Sequence, residues 1–231
     1  MDLDALPSRE LVERTLLDHT LFPRASELLQ ARLPDDAASE LLIEEYRTGR
    51  APPWLAAHLL GCLRAPAGYS VVREILISAP GLTAEAYAGV ALARIDPALA
   101  RGDLLLLMSQ GGHRRIREGA LYGLGSLRQP DLGDAIVEAV RRGRVQADAA
   151  GSVIASLGLS HEALLAWLES SDALRRNVAV RAVFFLSARA GGVVPRPLAR
   201  AAKTAMDSWG VKLAPSVRRM LRERIERSTA A

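Results

Sequence analysis

Apolar residues recur along most of this chain at the spacing of a helix, not with the alternation of a strand. In RIREGALYGLGSLRQPDLGDAIVEAV, residues 115–140, Ile116, Ala120, Leu124 and Leu127 step by 4, 4 and 3 and so share one helical face. Beyond Pro130 a second stripe runs through Leu132, Ile136 and Val140. The segment reads as helix, short turn, helix. Its first helix carries Gly119, Gly123 and Gly125, and each glycine in a helix interior costs roughly 1 kcal/mol relative to alanine. That cost is tolerated where another helix comes too close to leave room for a side chain, and such an approach is what the pattern predicts.

The stripe is repeated. Ala-x-x-x-Leu-x-x-Leu, or a close variant, occurs as Ala56/Leu60/Leu63, Ala88/Leu92/Ile95, Ala120/Leu124/Leu127, Ala150/Ile154/Leu157 and Ala179/Val183/Leu186, at successive offsets of 32, 32, 30 and 29 residues. Pro66, Pro97, Pro130 and Gly158 follow the first four copies, where each would end a helix. A period near 30 with two helices per unit marks an α-solenoid, in which no unit buries its stripe alone and stacking supplies the core. The expected fold is all-α: a right-handed α-solenoid of about five helical-hairpin repeats with irregular caps. Capping helices are expected near 8–18, 25–33 and 36–48, within residues 1–49. Repeats then occupy 50–190, and C-terminal capping helices 191–231, where SVRRMLRERIER carries a narrow stripe of Val217, Leu221 and Ile225. All three stretches are expected to form one continuous domain.

The stretch IREGALYGLGSLRQPDLGDAIVEAV resembles the HEAT-repeat family, especially its short bacterial, phycobilisome-lyase-like branch: an Arg-initiated helix ending in Leu-Gly, a Pro-Asp turn, then an apolar helix. AYAGVALARIDPALA and ADAAGSVIASLGLSHEALLAWL are weaker copies, and the resemblance covers roughly residues 50–190. It implies HEAT-like repeats but no single function, because members of this family serve as scaffolds, inhibitors, lyases and nucleic-acid enzymes alike.

Composition agrees with helices. Of 231 residues 49% are hydrophobic, but only 4% are aromatic, and β-branched residues are scarce in the apolar stretches. The N-terminal MDLDALPSRELVERT lacks the features of a signal peptide, and DLLLLMSQ is too short to span a bilayer. The expectation is a soluble, cytoplasmic protein with no membrane partner. The lone Cys62 excludes an intramolecular disulfide and reads as a small packed hydrophobe. Charge is uneven. Residues 1–50 carry 6 basic against 11 acidic side chains, whereas residues 111–231 carry 20 against 11, so any anionic partner would meet the C-terminal half.

Catalytic constellations are lacking: there is no Gly-rich phosphate loop, Cys-x-x-Cys or nucleophile elbow. His19, His58, His113 and His161 are scattered. His58 and Cys62 lie one turn apart, but two ligands do not close a tetrahedral site. No metal site, cofactor or catalytic residue is expected. His161–Glu162 is similar to the iron-binding dyads of HEAT-type deoxyhypusine hydroxylases, which use several where this chain has one; Ser160 and Glu162 read more simply as a helix cap with first-turn charge. The HEAT-like alkylpurine DNA glycosylases use an aspartate and aromatics in a basic groove. Trp54, Trp167 and Trp209 are similar in kind, and no motif of that family transfers residue by residue.

The repeat register points to a binding surface. At 100° per residue, with Ala120 facing inward, Glu118 and Tyr122 face away from the core. The same offsets place Trp54/His58, Ala86/Val90, Asp148/Ser152 and Asn177/Arg181 at matching positions. In HEAT-like solenoids the second helices line the concave face, so the resemblance implies a groove lined by Trp54, His58, Glu118, Tyr122, Asp148, Ser152, Asn177 and Arg181. Such mixed side chains suit protein or peptide recognition. A second pattern is basic: Arg114, Arg115, Arg117, Arg141, Arg142, Arg144, Arg175 and Arg176 fall near the turn into the second helix of consecutive repeats. They are expected to stack as a ridge that either tracks an anion (nucleic-acid backbone or an acidic protein face) or is simply solvated, some of its members beside helix C-termini. The expected function is a non-enzymatic interaction scaffold gripping a partner protein. The alternatives are a glycosylase-like nucleic-acid binder and a phycobilin-lyase-like chaperone or enzyme.

Overall fold

The computed structural model describes residues 2–78, 83–191, 193–208, 211 and 213–230; Trp209 and Lys212 lie outside the described residues. The described residues form helices and connecting turns, with no strand among them. The chain divides into two compact units, Met1–Leu127 and Arg128–Ala231. The division falls between the third and fourth copies of the triplet.

The first unit holds α1 (Ser8–Leu17), α2 (Phe22–Ala31), α3 (Asp36–Arg47) and α4 (Pro53–Leu63), followed by α5 (Gly68–Ser78), α6 (Ala84–Ile95), α7 (Pro97–Gln110) and α8 (Arg114–Leu127). The second holds α9 (Gly133–Arg141), α10 (Ala147–Ile154), α11 (His161–Leu168), α12 (Ala173–Arg189), α13 (Arg196–Ser208) and α14 (Pro215–Ala230). Local chemistry sets many of these bounds. Asp35, Asp96, Ser160 and Asp172 accept hydrogen bonds from first-turn N–H groups of α3, α7, α11 and α12. Pro23, Pro53 and Pro97 sit in first turns, where the missing N–H costs nothing. Arg64 and Arg128 end α4 and α8 in the left-handed region, at φ 55° and 53°. No helix among the described residues is long and apolar enough to cross a membrane.

The triplets occupy the cores of both units. Ala56/Leu60/Leu63 and Ala150/Ile154/Leu157 are wholly buried, as are the first two members of the other three copies. Ile95, Leu127 and Leu186 are half-buried. The first two are the last residues of their helices, where packing thins, and Leu186 lines a cavity. In the C-terminal stripe Leu221 and Ile225 are buried and Val217 is half-buried.

Helices two apart in sequence pack side by side. In the first unit α4 lies on α6 and α6 on α8, flanked by α5 and α7; in the second, α10 lies on α12. The paired residues advance together along α6 and α8, with Gly119 facing Glu85 and Gly123 facing Gly89, so these helices run parallel. Side-chain links repeat the same spacing. In the first unit Gln30 and Arg94 donate to Cys62 Sγ, Arg64 to the Arg32 carbonyl, and Tyr69 and Arg73 to Asp103. In the second, Arg181 pairs with Asp148, Arg141 with Asp172, and Arg189 with the Ala155 carbonyl. In every case the partners stand 30 to 34 residues apart.

Glycine makes the closest approach possible. A Cβ on Gly89 would collide with the Gly119 carbonyl oxygen, and one on Gly123 with that of Gly89. A Cβ on Gly119 would lie 2.5 Å from the Glu85 carbonyl oxygen and 2.7 Å from Leu76. The α6–α8 contact is therefore backbone against backbone.

Candidate functional site

The outward positions of α4 do not stay open. Trp54 and His58 are half-buried and meet Phe22, at the start of α2, and Tyr87 of α6. Phe22 meets His58 edge-on at 4.6 Å and Trp54 at 5.3 Å; Tyr87 stands 4.8 Å from His58 and 6.2 Å from Trp54. His19 closes the cluster at 6.0 Å from Trp54. Edge-to-face geometry of this kind adds to burial, because ring edges and faces carry opposite partial charge. His58 Nε2 is buried with no hydrogen-bond partner among the described residues. Burial, helped by the nearby Arg94, pushes the imidazole down to about 4, so the ring is neutral at pH 7. Helix positions alone identify Trp54 and His58. Phe22 belongs to the cap, and Tyr87 stands 33 residues after Trp54, one place off the stripe deduced from the repeat offsets.

One turn beyond His58, Cys62 is buried. Burial pushes its thiol up, against the opposing pull of Arg94 and of hydrogen bonds from Gln30 and Ser26. It is a packed thiol held protonated, not a nucleophile. No group of three or more His, Cys, Asp or Glu side chains that could hold a metal occurs among the described residues.

On α8, Glu118 is half-buried and pairs with Arg114 at 2.8 Å, while Tyr122 stays 39% exposed. In the second unit the expected stripe becomes a polar cluster. Arg181 was expected to face away from the core, yet it is only 8% exposed. Gly151 explains this, because its missing Cβ is where the Arg181 Cβ sits, and the aliphatic stem is buried against α10 while the charged end reaches out. The guanidinium donates to Asp148 Oδ1 at 2.6 Å and to Asn177 Oδ1. Ser152, one turn beyond Asp148, is half-buried.

Most of the basic residues are tied down. In the first unit Arg114 holds Glu118, and Arg117 donates to the carbonyls of Gly111 and Gly112 at 2.8 and 3.1 Å; Arg115 is half-buried. In the second unit Arg141 bridges Glu138 and Asp172, each at 2.5 Å, and Arg142 also holds Glu138. Arg175 pairs with Asp134 at 2.6 Å and lies over the Trp167 ring at 5.3 Å. Arg176 donates to the Ser170 carbonyl, and Arg144 is exposed with contacts of its own. Burial pushes the Asp172 carboxyl up, but the N–H groups of Arg175 and Leu174 and the charge of Arg141 outweigh it and hold the group below its ordinary value.

Asp172 thus caps α12 and anchors α9. Asp172→Ala should cost about 1–2 kcal/mol in urea unfolding, as loss of an N-cap does. Asp134→Ala, removing a side chain 73% exposed, should cost under about 0.5 kcal/mol. Equal losses at the two sites would show that the cap carries no special weight. The dyad residues behave as a helix start: Ser160 Oγ accepts from the Ala163 N–H at 3.2 Å, and Glu162's carboxyl is held low chiefly by its own N–H and by Ser160.

Comparison with protein-family models, with curated proteins and with solved structures finds no match for this chain.

Proposed function

We propose that this protein is a HEAT-like α-solenoid scaffold that binds a partner protein and catalyses no reaction of its own. The observation that carries the proposal is the parallel stacking of α4, α6 and α8 at a spacing near 32 residues. This stacking supports a common face carrying Trp54, His58, Val90, Glu118 and Tyr122. The half-buried aromatic cluster is a rigid platform at one end of that face, and Tyr122 is its exposed aromatic. Rigid aromatics that lose little entropy on contact are the residues that most often dominate protein recognition.

A glycosylase-like nucleic-acid binder that used the expected arginine ridge would instead need those cations free to meet phosphates. Arg114, Arg141, Arg142 and Arg175 already hold carboxylates, which favours the protein partner.

A photo-crosslinking amino acid at position 122 should trap a discrete protein from native lysate. The same group at position 102, on the exposed side of α7, should trap none. Identical adducts from both positions, or none from 122, would remove this face as the binding surface. Micromolar binding to duplex DNA, with a salt slope steepening by about 0.9 per phosphate contact, would replace the scaffold by a nucleic-acid binder.

A further inference from the structure

The second unit contains a cavity of about 370 Å³ between α12, α13 and the start of α11, with walls that include Val183, Leu186, Val193 and Leu198. Its only polar lining residues among the described ones are His161 and Ser187. Ser187 is already spent: its hydroxyl donates to the Phe184 carbonyl at 2.6 Å and accepts from Arg224 at 2.9 Å. The volume falls in the range of small-ligand sites, which are mostly apolar with few polar groups. A second cavity of about 390 Å³ shares Val193, Val194 and Pro195 as a wall, and carries Arg196 and Arg227. The shared segment is pinned by the Val194 N–H, which donates to Ser228 Oγ at 3.0 Å. Val193 itself is 66% exposed, an apolar lip between the two chambers.

The arginines here differ from those near α9 and α12. Neither Arg196 nor Arg227 forms an ion pair among the described residues; Arg227 reaches only the Glu223 carbonyl, at 3.4 Å. The surrounding stretch, residues 189–228, carries ten basic side chains against three acidic ones. An apolar chamber beside an uncompensated basic one is complementary to a molecule with an alkyl tail and an anionic head.

We propose that this pair of cavities binds a single-chain alkyl carboxylate, its tail in the apolar chamber and its carboxylate at Arg196 and Arg227. The chemistry follows from the two walls. Each methylene moved from water into the apolar chamber tightens binding about fourfold until the chamber is full, and two guanidinium groups recognise a carboxylate with charge-assisted hydrogen bonds. His161, at the rim, is not required by this assignment.

Calorimetric titration of the full chain with octanoate, decanoate and dodecanoate tests it. Affinity should rise about fourfold per added methylene across at least part of the series. R196Q/R227Q, which changes only exposed side chains, should weaken decanoate binding roughly tenfold while leaving the thermal transition in place. Ala190→Trp should fill the apolar chamber and abolish binding. Should that variant fold poorly, 1-decanol serves instead, and it should bind at least tenfold more weakly than decanoate to the unaltered protein. No binding of any of the three acids below millimolar concentration, or an affinity indifferent to chain length, would overturn the assignment. So would co-sedimentation with anionic phospholipid vesicles without binding of monomeric decanoate, which would make the basic surface a membrane contact.

Discussion

Replacing Gly89 by alanine should lower stability by about 2–3 kcal/mol, while the same change at Gly102 should raise it by roughly 1 kcal/mol. Both glycines lie inside helices, and in both places alanine is the better helix former by that last amount. They differ in what a new methyl group would meet. At Gly102, on α7, nothing lies within 4 Å; at Gly89 the Gly119 carbonyl stands in the way. That obstacle is backbone and cannot rotate aside, so α6 and α8 must separate along the seam made by Gly89, Gly119 and Gly123. Overpacking in well-packed interiors typically costs 1–3 kcal/mol, and separating two helices belongs at the upper end. Urea unfolding of the two variants checks the sign as well as the size. If Gly89→Ala were neutral, the close approach would not exist in solution.

The second large effect is acid sensitivity at one histidine. An unfolded chain protonates His58 near its ordinary value of 6.5, whereas the folded protein resists until about 4. Above pH 6.5 neither state holds the proton and the group contributes nothing to the pH dependence. Between 6.5 and 4 the unfolded state binds a proton that the folded state refuses, so stability falls as pH falls. With His58 only half-buried, the accumulated loss is on the order of 2 kcal/mol. His58→Phe keeps a ring against Phe22 and Tyr87 and removes the titration. The stability difference between this variant and the unaltered protein should therefore widen steadily as pH falls from 6.5 to 4. Parallel curves would mean that His58 is protonated inside the fold at no cost.

Much of the architecture was legible because helical spacing is a local property. The triplets, the capping helices near residues 8, 25 and 36, and the cap stripe of Leu221 and Ile225 all follow from residues a few positions apart. The close approach at Gly119 and Gly123 was legible too, since few other reasons place glycines inside a stripe. The site was less so. Trp54 and His58 look outward on an isolated α4, and only the docking of Phe22 from α2 and of Tyr87 from α6 covers them. Arg181 looks exposed until the missing side chain at Gly151, thirty residues away, leaves space for its stem. The arginines look like a ridge until Asp134 and Asp172 arrive from neighbouring helices. Each of these depends on which side chains meet between helices roughly 30 to 41 residues apart. Partners at such spacings can be sought in a sequence, as with Asp148 and Arg181, but only the packing decides which of them touch.

The side-chain links spaced 30 to 34 residues apart also bear on how the chain reaches its native state. Every such contact closes a loop of about the same modest length, and loop-closure entropy grows only slowly with length. No link must wait for a distant part of the chain. Topologies dominated by short-range closures fold fast, on the microsecond to millisecond scale for helical proteins. As the chain leaves the ribosome, a helix emerging within either unit can find the partner of such a link already synthesised, about 30 residues behind it.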